Sequence, residues 1–511
     1  MDVSIMLLVA VAVLGLYYYF TKEEDPFQKH GLPFKKPVAP VLGSTWSSTL
    51  FRKSLAEMVQ EIYNMDPDAK YVGLHHRMTP VIMVRDPELI KSIAVKHFDH
   101  FPDHRTFRVT DIDPFFSKNL LLLQGETWKE VRGLMSPAFT SSKMKTMFRL
   151  MSDCAVNVAH YLTALPDEER LIEAKDVFTR FANDVFASCA FGISIDSMVD
   201  RDNQFYLLGK EALDLHGGNF IKLFTMFFFH KLAKVLGLKV IRQEVADFFE
   251  ATVADNIATR ERTGISRPDF IQLMMENRDK LGPGKRLTNL DIAGEAFSFY
   301  FGGFETTASL LSFAAHELAV NPAIQKRLQE EIDQVLKDSN GDVSYEAING
   351  MKYLDAVINE AMRLYPVIPI TDRECRKPFE LPPALPGLKP FRLKEGCHVW
   401  LPIYAIQRDP KYFDQPEKFD PTRFLYRESN LTNSGVYLPF GMGPRICIGY
   451  RFAILQSRVA LFHILGRCEL KVSSKTQIPM KFGRGGAFLK AENGYWLEVL
   501  PRNNPLVSPI N

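Results

Sequence analysis

Apolar residues recur every three to four positions through most of this chain, and that spacing predicts a protein built mainly from helices. The longest such stretch, 288–319, is almost wholly apolar and stops at Asn321-Pro322, because proline cannot continue a helix. Further helices are predicted at 52–63, 126–138, 142–163, 174–190, 203–215, 240–262, 268–276, 322–337, 351–364 and 450–466.

Segments with the composition of β-strands are fewer and shorter. They are 70–76, 80–86 and 397–403, with "CELKV" and "YWLEVL" near the C-terminus. Proline and glycine are dense between 366 and 445, which indicates a long irregular stretch. The predicted fold class is therefore mainly α with small β-sheets (α+β).

The first apolar run differs from the others because it carries no charge. As a helix, Val3–Phe20 would span about 27 Å, close to a bilayer core of about 30 Å. A cleaved signal peptide is the alternative, but that kind of leader begins with basic residues and this chain begins Met1-Asp2. We expect an uncleaved transmembrane signal-anchor at 1–20 and a proline-containing linker at 21–45. Lysines directly after the anchor predict that the rest of the chain is cytosolic.

Composition excludes some classes of function. The net charge of +2 is too small to indicate the strongly basic surface that binds nucleic acid, so we expect no nucleic acid partner. The six cysteines include no CxxC pair, which argues against a zinc site, and six in 511 residues argue against a disulfide scaffold. Most of them are expected to be buried free thiols in a reducing compartment.

One cysteine stands in an unusual setting, the stretch "FGMGPRICIG" just before the helix predicted at 450–466. Amides at a helix N-terminus favour a thiolate at Cys447, and Arg445 adds a cation two residues away. Glycines at 441, 443 and 449 allow the backbone or a flat cofactor to approach closely. A dinucleotide loop of the GxGxxG type is rejected, because its third glycine would fall at Ile446 and no strand precedes it.

The same stretch resembles the cysteine-ligand signature of the cytochrome P450 superfamily, F-x-x-G-x-R-x-C-x-G. The fixed positions are filled by Phe440, Gly443, Arg445, Cys447 and Gly449. The resemblance implies haem b, iron protoporphyrin IX, with Cys447 as the axial ligand of the iron and Arg445 bound to a propionate. Phe440, Gly441 and Gly449 are implied to lie beside the cofactor. It also implies the fold of that family over a catalytic domain at 46–505, with haem between a long distal helix and a proximal helix.

The long helix carries an acid and a hydroxyl, Glu305 and Thr306, just after two glycines. One interpretation is a close helix contact at the glycines, with the threonine bonded back to its own backbone. The other is a helix loosened to leave room for a small ligand. In the resemblance, Gly303, Glu305 and Thr306 match the distal motif G-x-[DE]-T, which implies that Gly303 borders the cofactor and that Thr306 and Glu305 are catalytic and relay protons to dioxygen.

Two further motifs are generic alone and informative beside the cysteine signature. Trp128 and Arg132 match W-x-x-x-R, which implies that both donate to a haem propionate, and "TDREC" implies a further propionate ligand, Arg373. His104 or Arg105 is a candidate for an additional donor.

The ExxR element of the family corresponds to Glu360 and Arg363 in "NEAMRLYP". Alone, this spacing describes an ordinary surface ion pair. The resemblance implies a structural triad with Arg423 of "FDPTRF", which supports the cysteine loop and takes no part in the chemistry.

The resemblance further implies a substrate pocket lined by apolar and aromatic side chains, which predicts a lipophilic substrate. Its expected residues are Phe115, Leu122, Phe297, Phe301, Phe304, Val367, Ile370 and Ala487. The apolar segment 219–240, with four lysines, is either a core helix or a surface segment at the membrane interface.

In function, the chain is predicted to be a haem-thiolate monooxygenase that uses O2 and NADPH-derived electrons. The implied partners are a membrane-bound NADPH-cytochrome P450 reductase, cytochrome b5 as a second donor, and membrane lipid. Lysines 129, 143 and 145 are candidates for docking the reductase. Details such as "SPAFTSSKM" resemble the insect microsomal branch associated with foreign compounds, in the endoplasmic reticulum membrane. A thiolate-haem sensor or carrier without turnover, and an isomerase or peroxide-using relative, remain as alternatives.

Overall fold

The computed structural model describes residues 25–38, 43–76, 79–105, 113–213, 225–226, 230–279, 286–431 and 433–503. Its helices are α1 (Pro26–His30), α2 (Trp46–Thr49), α3 (Leu55–Tyr63), α4 (Pro87–Lys91), α5 (Gly125–Met135), α6 (Ser141–Ala164), α7 (Ala174–Cys189), α8 (Gln204–Leu213), α9 (His230–Val235), α10 (Gln243–Thr263), α11 (Phe270–Glu276), α12 (Asn289–Val320), α13 (Pro322–Asp338), α14 (Tyr345–Asn349), α15 (Lys352–Leu364), α16 (Ile403–Ile406), α17 (Thr422–Leu431) and α18 (Tyr450–Arg467).

The strands are short and form three small sheets. They are β1 (Tyr71–His76), β2 (Thr79–Val84), β3 (Leu171–Glu173), β4 (Thr371–Glu374), β5 (Phe379–Leu381), β6 (Phe391–Leu393), β7 (His398–Leu401), β8 (Cys468–Val472) and β9 (Trp496–Pro501). The largest sheet has the order β1-β2-β7-β4, with β2 and β7 parallel and the other neighbours antiparallel. The prediction of a mainly α fold with small sheets is confirmed.

The apolar residues form two main cores. The larger lies among the helices, with α12 at its centre and α7 and α18 packed nearby. The smaller joins the four-stranded sheet to α3 and to the segment before α18. The cysteine loop therefore lies where the helical core and the sheet-based core meet.

Local sequence chemistry explains where the main helices begin. Thr288 and Asp291 form a reciprocal capping box at the start of α12, and Asn321 follows its last residue. The helix predicted at 52–63 begins instead at Leu55, because Ser54 and Glu57 form a second capping box there. Most other predicted helices lie within about three residues of the observed ones, as expected for fraying helix ends.

Part of the predicted linker belongs to the folded body. Phe27 and Leu32 are buried in the smaller core, and Phe34 forms a bridge to Gly73 of β1. The described part of this segment therefore packs on the sheet from Phe27 to Phe34, and the proline-containing linker at 21–45 stays a prediction.

Two predictions about membranes concern residues that are wholly or partly not described. The anchor predicted at 1–20 lies outside the described residues, as do 219–224 and 227–229 of the segment 219–240. Among the residues that are described, no helix has both the length and the apolar character needed to cross a bilayer. In the described part of the second segment, α9 and the residue after it expose Leu232, Val235 and Leu236.

Candidate active site

A tight loop places Cys447 directly before α18. Gly441 and Gly443 have φ angles of 75° and 76°, in the left-handed region that glycine adopts without strain. A Cβ on Gly443 would lie 1.9 Å from the carbonyl oxygen of Ala94, so this position has no room for a side chain. The Cys447 N–H donates to the Phe440 carbonyl at 2.9 Å, which closes the loop.

The Cys447 sulfur is enclosed by protein and yet remains accessible. Its side chain is exposed, although burial of the group raises the pKa of the thiol. The Gly449 N–H and the charge of Arg132 oppose that rise and do not cancel it. Desolvation thus outweighs the helix N-terminus for the thiol by itself, and the thiolate at Cys447 stays a prediction. An accessible sulfur inside the protein indicates an internal space beside it.

Arg445, which is expected to bind a haem propionate, is held by contacts within the protein. Its side chain is 2% exposed, stacks at 3.9 Å over the Trp128 ring, and donates to Asp103 at 2.7 Å. It also donates to the Pro102 carbonyl at 2.7 Å and the Leu123 carbonyl at 3.1 Å. Burial lowers the pKa of Arg445 to about 10, and Asp103 opposes that change.

Three more cationic or basic side chains converge on the same region. Arg132 donates to the Ile446 carbonyl at 2.8 Å, and Arg373, which is fully buried on β4, donates to the Met442 carbonyl at 3.0 Å. His104 Nδ1 lies 3.0 Å from Asp372 Oδ1. Burial lowers the pKa of Arg373 to about 10. The structure thus gathers around the cysteine loop the donors that the sequence proposed separately.

The two glycines of α12 face different surroundings. A Cβ on Gly302 would meet no described atom within 4 Å, although most of the helix around it is buried. A Cβ on Gly303 would lie 2.0 Å from the Phe186 ring of α7. Gly303, assigned to the cofactor by the resemblance, is therefore a helix–helix contact, and Gly302 is the glycine that borders open space. Thr306 Oγ1 donates to the Gly302 carbonyl at 2.7 Å.

Glu305 is held by a lysine from a neighbouring helix. Its Oε1 lies 3.0 Å from Lys175 Nζ, and that ammonium also donates to the Glu305 carbonyl at 3.0 Å and to Ser309 Oγ at 2.6 Å. Burial lowers the pKa of Lys175, whereas Glu305 opposes that change. The acid of the distal motif is thus fixed in position by α7.

The residues Glu360, Arg363 and Arg423 are in contact with one another. Glu360 and Arg363 are 0% exposed and form two hydrogen bonds of 2.7 and 2.8 Å. Arg363 also donates to the carbonyls of Gln407, Pro416 and Lys418, while Arg423 Nε lies 3.4 Å from Glu360. The interpretation as an ordinary surface pair is wrong, because both side chains are completely buried.

Comparison with known proteins identifies the family. The family model described as Cytochrome P450 matches residues 37–499. The chain belongs to the cytochrome P450 family. Cytochrome P450 9e2 of Blattella germanica is 40% identical over 525 residues, covering 97% of both chains. Probable cytochrome P450 9f2 of Drosophila melanogaster is 36% identical, covering 97% of this chain and 99% of the relative. Cytochrome P450 6j1 of Blattella germanica is 33% identical, covering 96% of each.

The chain is accordingly a cytochrome P450 monooxygenase that uses haem iron and O2. The residues around Cys447 fit the haem of this family. Arg373 Nε and Arg105 Nη1 are buried and have no hydrogen-bond acceptor among the described residues. Such donors need an acceptor, and the two carboxylates of haem are strong acceptors for arginine. The accessible sulfur of Cys447 suits coordination of the iron, and the open space beside Gly302 suits the macrocycle.

The residues predicted to line the pocket of this P450 differ in position. Phe115 packs on Phe297 with ring centroids 5.1 Å apart, and Phe301 contacts Phe116. Phe304 instead packs between the rings of Tyr206 and Tyr300, on the opposite side of α12 from Gly302. Of the others, Leu122 is buried, Val367 and Ile370 are half-buried and Ala487 is exposed.

Three side chains of this region went unrecognised in the sequence. Asp103 holds Arg445, Asp372 holds His104, and Lys175 holds Glu305. Asp103 directly precedes His104 and Asp372 directly precedes Arg373, and this proximity is the only local indication of their role. Lys175 has no local indication, because its partner is 130 positions away.

Proposed function

We propose that this P450 inserts one oxygen atom from O2 into a lipophilic small molecule, using NADPH-derived electrons delivered by a flavoprotein reductase. The observation that carries the proposal is the accessible Cys447 beside Arg132 and Arg373, of which Arg373 keeps a buried Nε without an acceptor among the described residues. When bound, haem b supplies the iron at which dioxygen is activated, and a thiolate ligand favours O–O cleavage.

The residues of the chain would hold the cofactor in two ways. Cys447 would bind the iron as a thiolate, because metal coordination would remove the proton that burial otherwise retains. Arg373, Arg132 and Trp128 would bind the carboxylates, together with Arg445, whose position Asp103 already fixes. Phe440, Gly441 and Gly449 shape the loop, and Glu360, Arg363 and Arg423 support it from behind.

Thr306 and Glu305 are proposed to handle protons. Thr306 donates its single hydroxyl hydrogen to the Gly302 carbonyl, so its oxygen is left to accept a hydrogen bond from water or ligand in the open space. Glu305 lies one residue earlier on the same helix and is held by Lys175, so it is positioned to exchange protons through water.

The substrate is proposed to be a foreign compound or an endogenous lipid-like molecule. Phenylalanine rings from the segment around Phe115 and from α12 supply apolar walls that exclude water. The relatives reported above are insect P450s, which supports the proposal of a xenobiotic-metabolising enzyme.

We further propose that residues 1–20 anchor the enzyme in the endoplasmic reticulum membrane, with the catalytic domain, up to about residue 505, in the cytosol. NADPH-cytochrome P450 reductase would dock near Lys129, Lys143 and Lys145, and cytochrome b5 is a second candidate donor. Two of those lysines form exposed ion pairs, with Glu126 and Glu346. Exposed pairs break at little cost, so both lysines remain accessible to an acidic partner.

The deciding experiment combines spectroscopy with turnover. The full-length enzyme is purified, and its reduced carbonyl adduct is examined for the red-shifted absorbance of anionic sulfur ligation. It is then combined with reductase, NADPH and a panel of lipophilic compounds that produce binding difference spectra. Oxygenated product that requires both reductase and NADPH supports the proposal.

The role of Thr306 is tested by the yield of product per NADPH. Thr306→Ala should lower that yield several-fold while NADPH consumption continues, and Thr306→Ser should restore it. Thr307→Ala is the matched control, because Thr307 is buried and its hydroxyl has no partner among the described residues. Equal yields in all variants would contradict the proton role.

Activity without reductase would favour a peroxide-using enzyme or isomerase, and haem without any turnover would favour a sensor.

A further inference from the structure

Two cysteines outside the haem site lie opposite each other across neighbouring strands. β4 and β7 are antiparallel, with Arg373 opposite Val399 and Glu374 opposite His398. The next positions in this register are Cys375 and Cys397. The Cys375 N–H donates to the Cys397 carbonyl at 2.8 Å, so the alignment continues past the ends of both strands.

A glycine bulge maintains this alignment at the turn that leads into β7. Gly396 has a φ of 80° and donates its N–H to the Cys375 carbonyl at 2.7 Å. The Cys397 N–H donates to the Lys394 carbonyl at 3.1 Å and closes the turn. A bulge with glycine in this conformation adds one residue and leaves the following residue opposite its partner. Backbone hydrogen bonds therefore hold both cysteines in place.

The separation suits a covalent bond. Directly opposed, hydrogen-bonded residues of antiparallel strands have Cα atoms about 5.5 Å apart, and disulfides span Cα separations of about 4.4–6.8 Å. Neither cysteine is in a disulfide, and both lie against the smaller apolar core. The Cys375 thiol donates to the Lys377 carbonyl at 2.9 Å. Cys375 is fully buried, whereas Cys397 is only partly buried and can be reached from outside.

The other cysteines lack this arrangement. Cys154 and Cys189 are close enough for one to affect the pKa of the other, but they lie on α6 and α7 with no backbone pairing between them. Cys468 is buried on β8, and Cys447 belongs to the haem site.

We propose that Cys375 and Cys397 are a redox modification site, which a low-molecular-weight disulfide of the glutathione type converts to an intramolecular disulfide. The Cys397 thiolate attacks one sulfur of the oxidant and displaces its first thiol. The Cys375 thiolate then attacks Cys397 in the mixed disulfide and displaces the second thiol. The two protons leave on the two released thiols, and the oxidant gains the two electrons that the cysteines lose.

The bond would connect the two strands next to the haem-binding arginines. Arg373 lies two residues before Cys375 on β4, and the Glu374 N–H donates to the Asp103 carbonyl at 2.8 Å. Arg376, on the other side of Cys375, donates to Asp103 Oδ2 at 3.0 Å. Burial raises the pKa of both thiols, so the oxidation is slow at neutral pH and needs excess oxidant.

The test uses the holoenzyme and needs neither substrate nor reductase. Oxidised glutathione is added, remaining thiols are alkylated, and peptides are mapped by mass spectrometry without reduction. We expect a Cys375–Cys397 linked peptide that dithiothreitol removes. Oxidation should remove two alkylatable thiols from the wild type and also from the control variant Cys154→Ser. The variants Cys375→Ser and Cys397→Ser should not form the link. The oxidised wild type should unfold at a higher temperature, because the bond closes the loop 376–396 in the unfolded chain.

Three results would overturn the proposal. One is a stable glutathione adduct on Cys397 that never converts to the internal bond. Another is a Cys154–Cys189 link in place of the expected one. The third is no change in thiol count at oxidant concentrations that oxidise the unfolded protein completely. The peptide map of the wild type decides among these without any variant, so a variant that fails to fold leaves the test intact.

Discussion

Replacing Glu360 by glutamine should destabilise the enzyme more than any change at an exposed ion pair. Glutamine keeps the size of the side chain and removes its charge. The carboxylate of Glu360 accepts hydrogen bonds from Arg363 at 2.7 and 2.8 Å and from the Asp420 N–H at 2.8 Å, and Arg423 lies at 3.4 Å. All of these groups are donors, so the NH2 of a glutamine would face donors.

The expected cost follows from the burial of the pair. Glu360 and Arg363 are both 0% exposed, and breaking a buried ion pair by removing one partner costs about 3–5 kcal/mol. Arg363 keeps three carbonyl acceptors, which favours the lower end, about 3 kcal/mol. A protein with a free energy of unfolding of about 5–15 kcal/mol would remain folded but lose a large fraction of its stability.

The assay is urea unfolding followed by tryptophan fluorescence, with haem absorbance recorded in parallel. The matched control is Glu126→Gln, since Glu126 and Lys129 have the same i, i+3 spacing and a separation of 2.7 Å but are exposed. That control should leave the urea midpoint unchanged. A midpoint for Glu360→Gln that also matches the wild type would refute the argument that burial makes this pair matter.

Three further predictions concern other parts of the chain. Gly303→Ala should lower the free energy of unfolding by about 1–3 kcal/mol, since its methyl would overlap the Phe186 ring. Gly302→Ala meets no described atom and should be neutral or stabilising in the same urea unfolding assay, so equal urea midpoints for the two variants would contradict this. Arg445→Lys should lower the amount of haem retained after gel filtration, because lysine cannot both stack on an indole and donate to several acceptors; retention equal to the wild type would contradict this. Burial raises the pKa of the Asp184 carboxyl to about 6. Its ionisation should therefore lower the free energy of unfolding progressively as pH rises from about 4 to 6, and above that range the whole loss should be roughly 3 kcal/mol. Asp184→Asn should remove this component from the pH dependence of unfolding, and an unchanged slope would show that other groups cause it.

The sequence alone determined the features that depend on neighbouring residues. The helix boundaries around α12, α15 and α18 follow from apolar spacing, from capping residues and from Asn321-Pro322, all of which act within one or two turns. The cysteine loop was also readable, because the glycines with positive φ and the cysteine lie within a few residues of one another. The resemblance built on that stretch led to the family that the comparisons show.

Only the tertiary structure decided which way individual side chains face and what surrounds them. Gly302 and Gly303 are adjacent in the sequence, yet one borders open space and the other contacts α7, because the positions of the neighbouring helices are set by distant residues. Glu360 and Arg363 have the spacing of a surface pair and are wholly buried. Arg445 meets Asp103 from 342 positions away. Partners so far apart in sequence leave no periodic pattern, since their contact depends on how the whole chain packs.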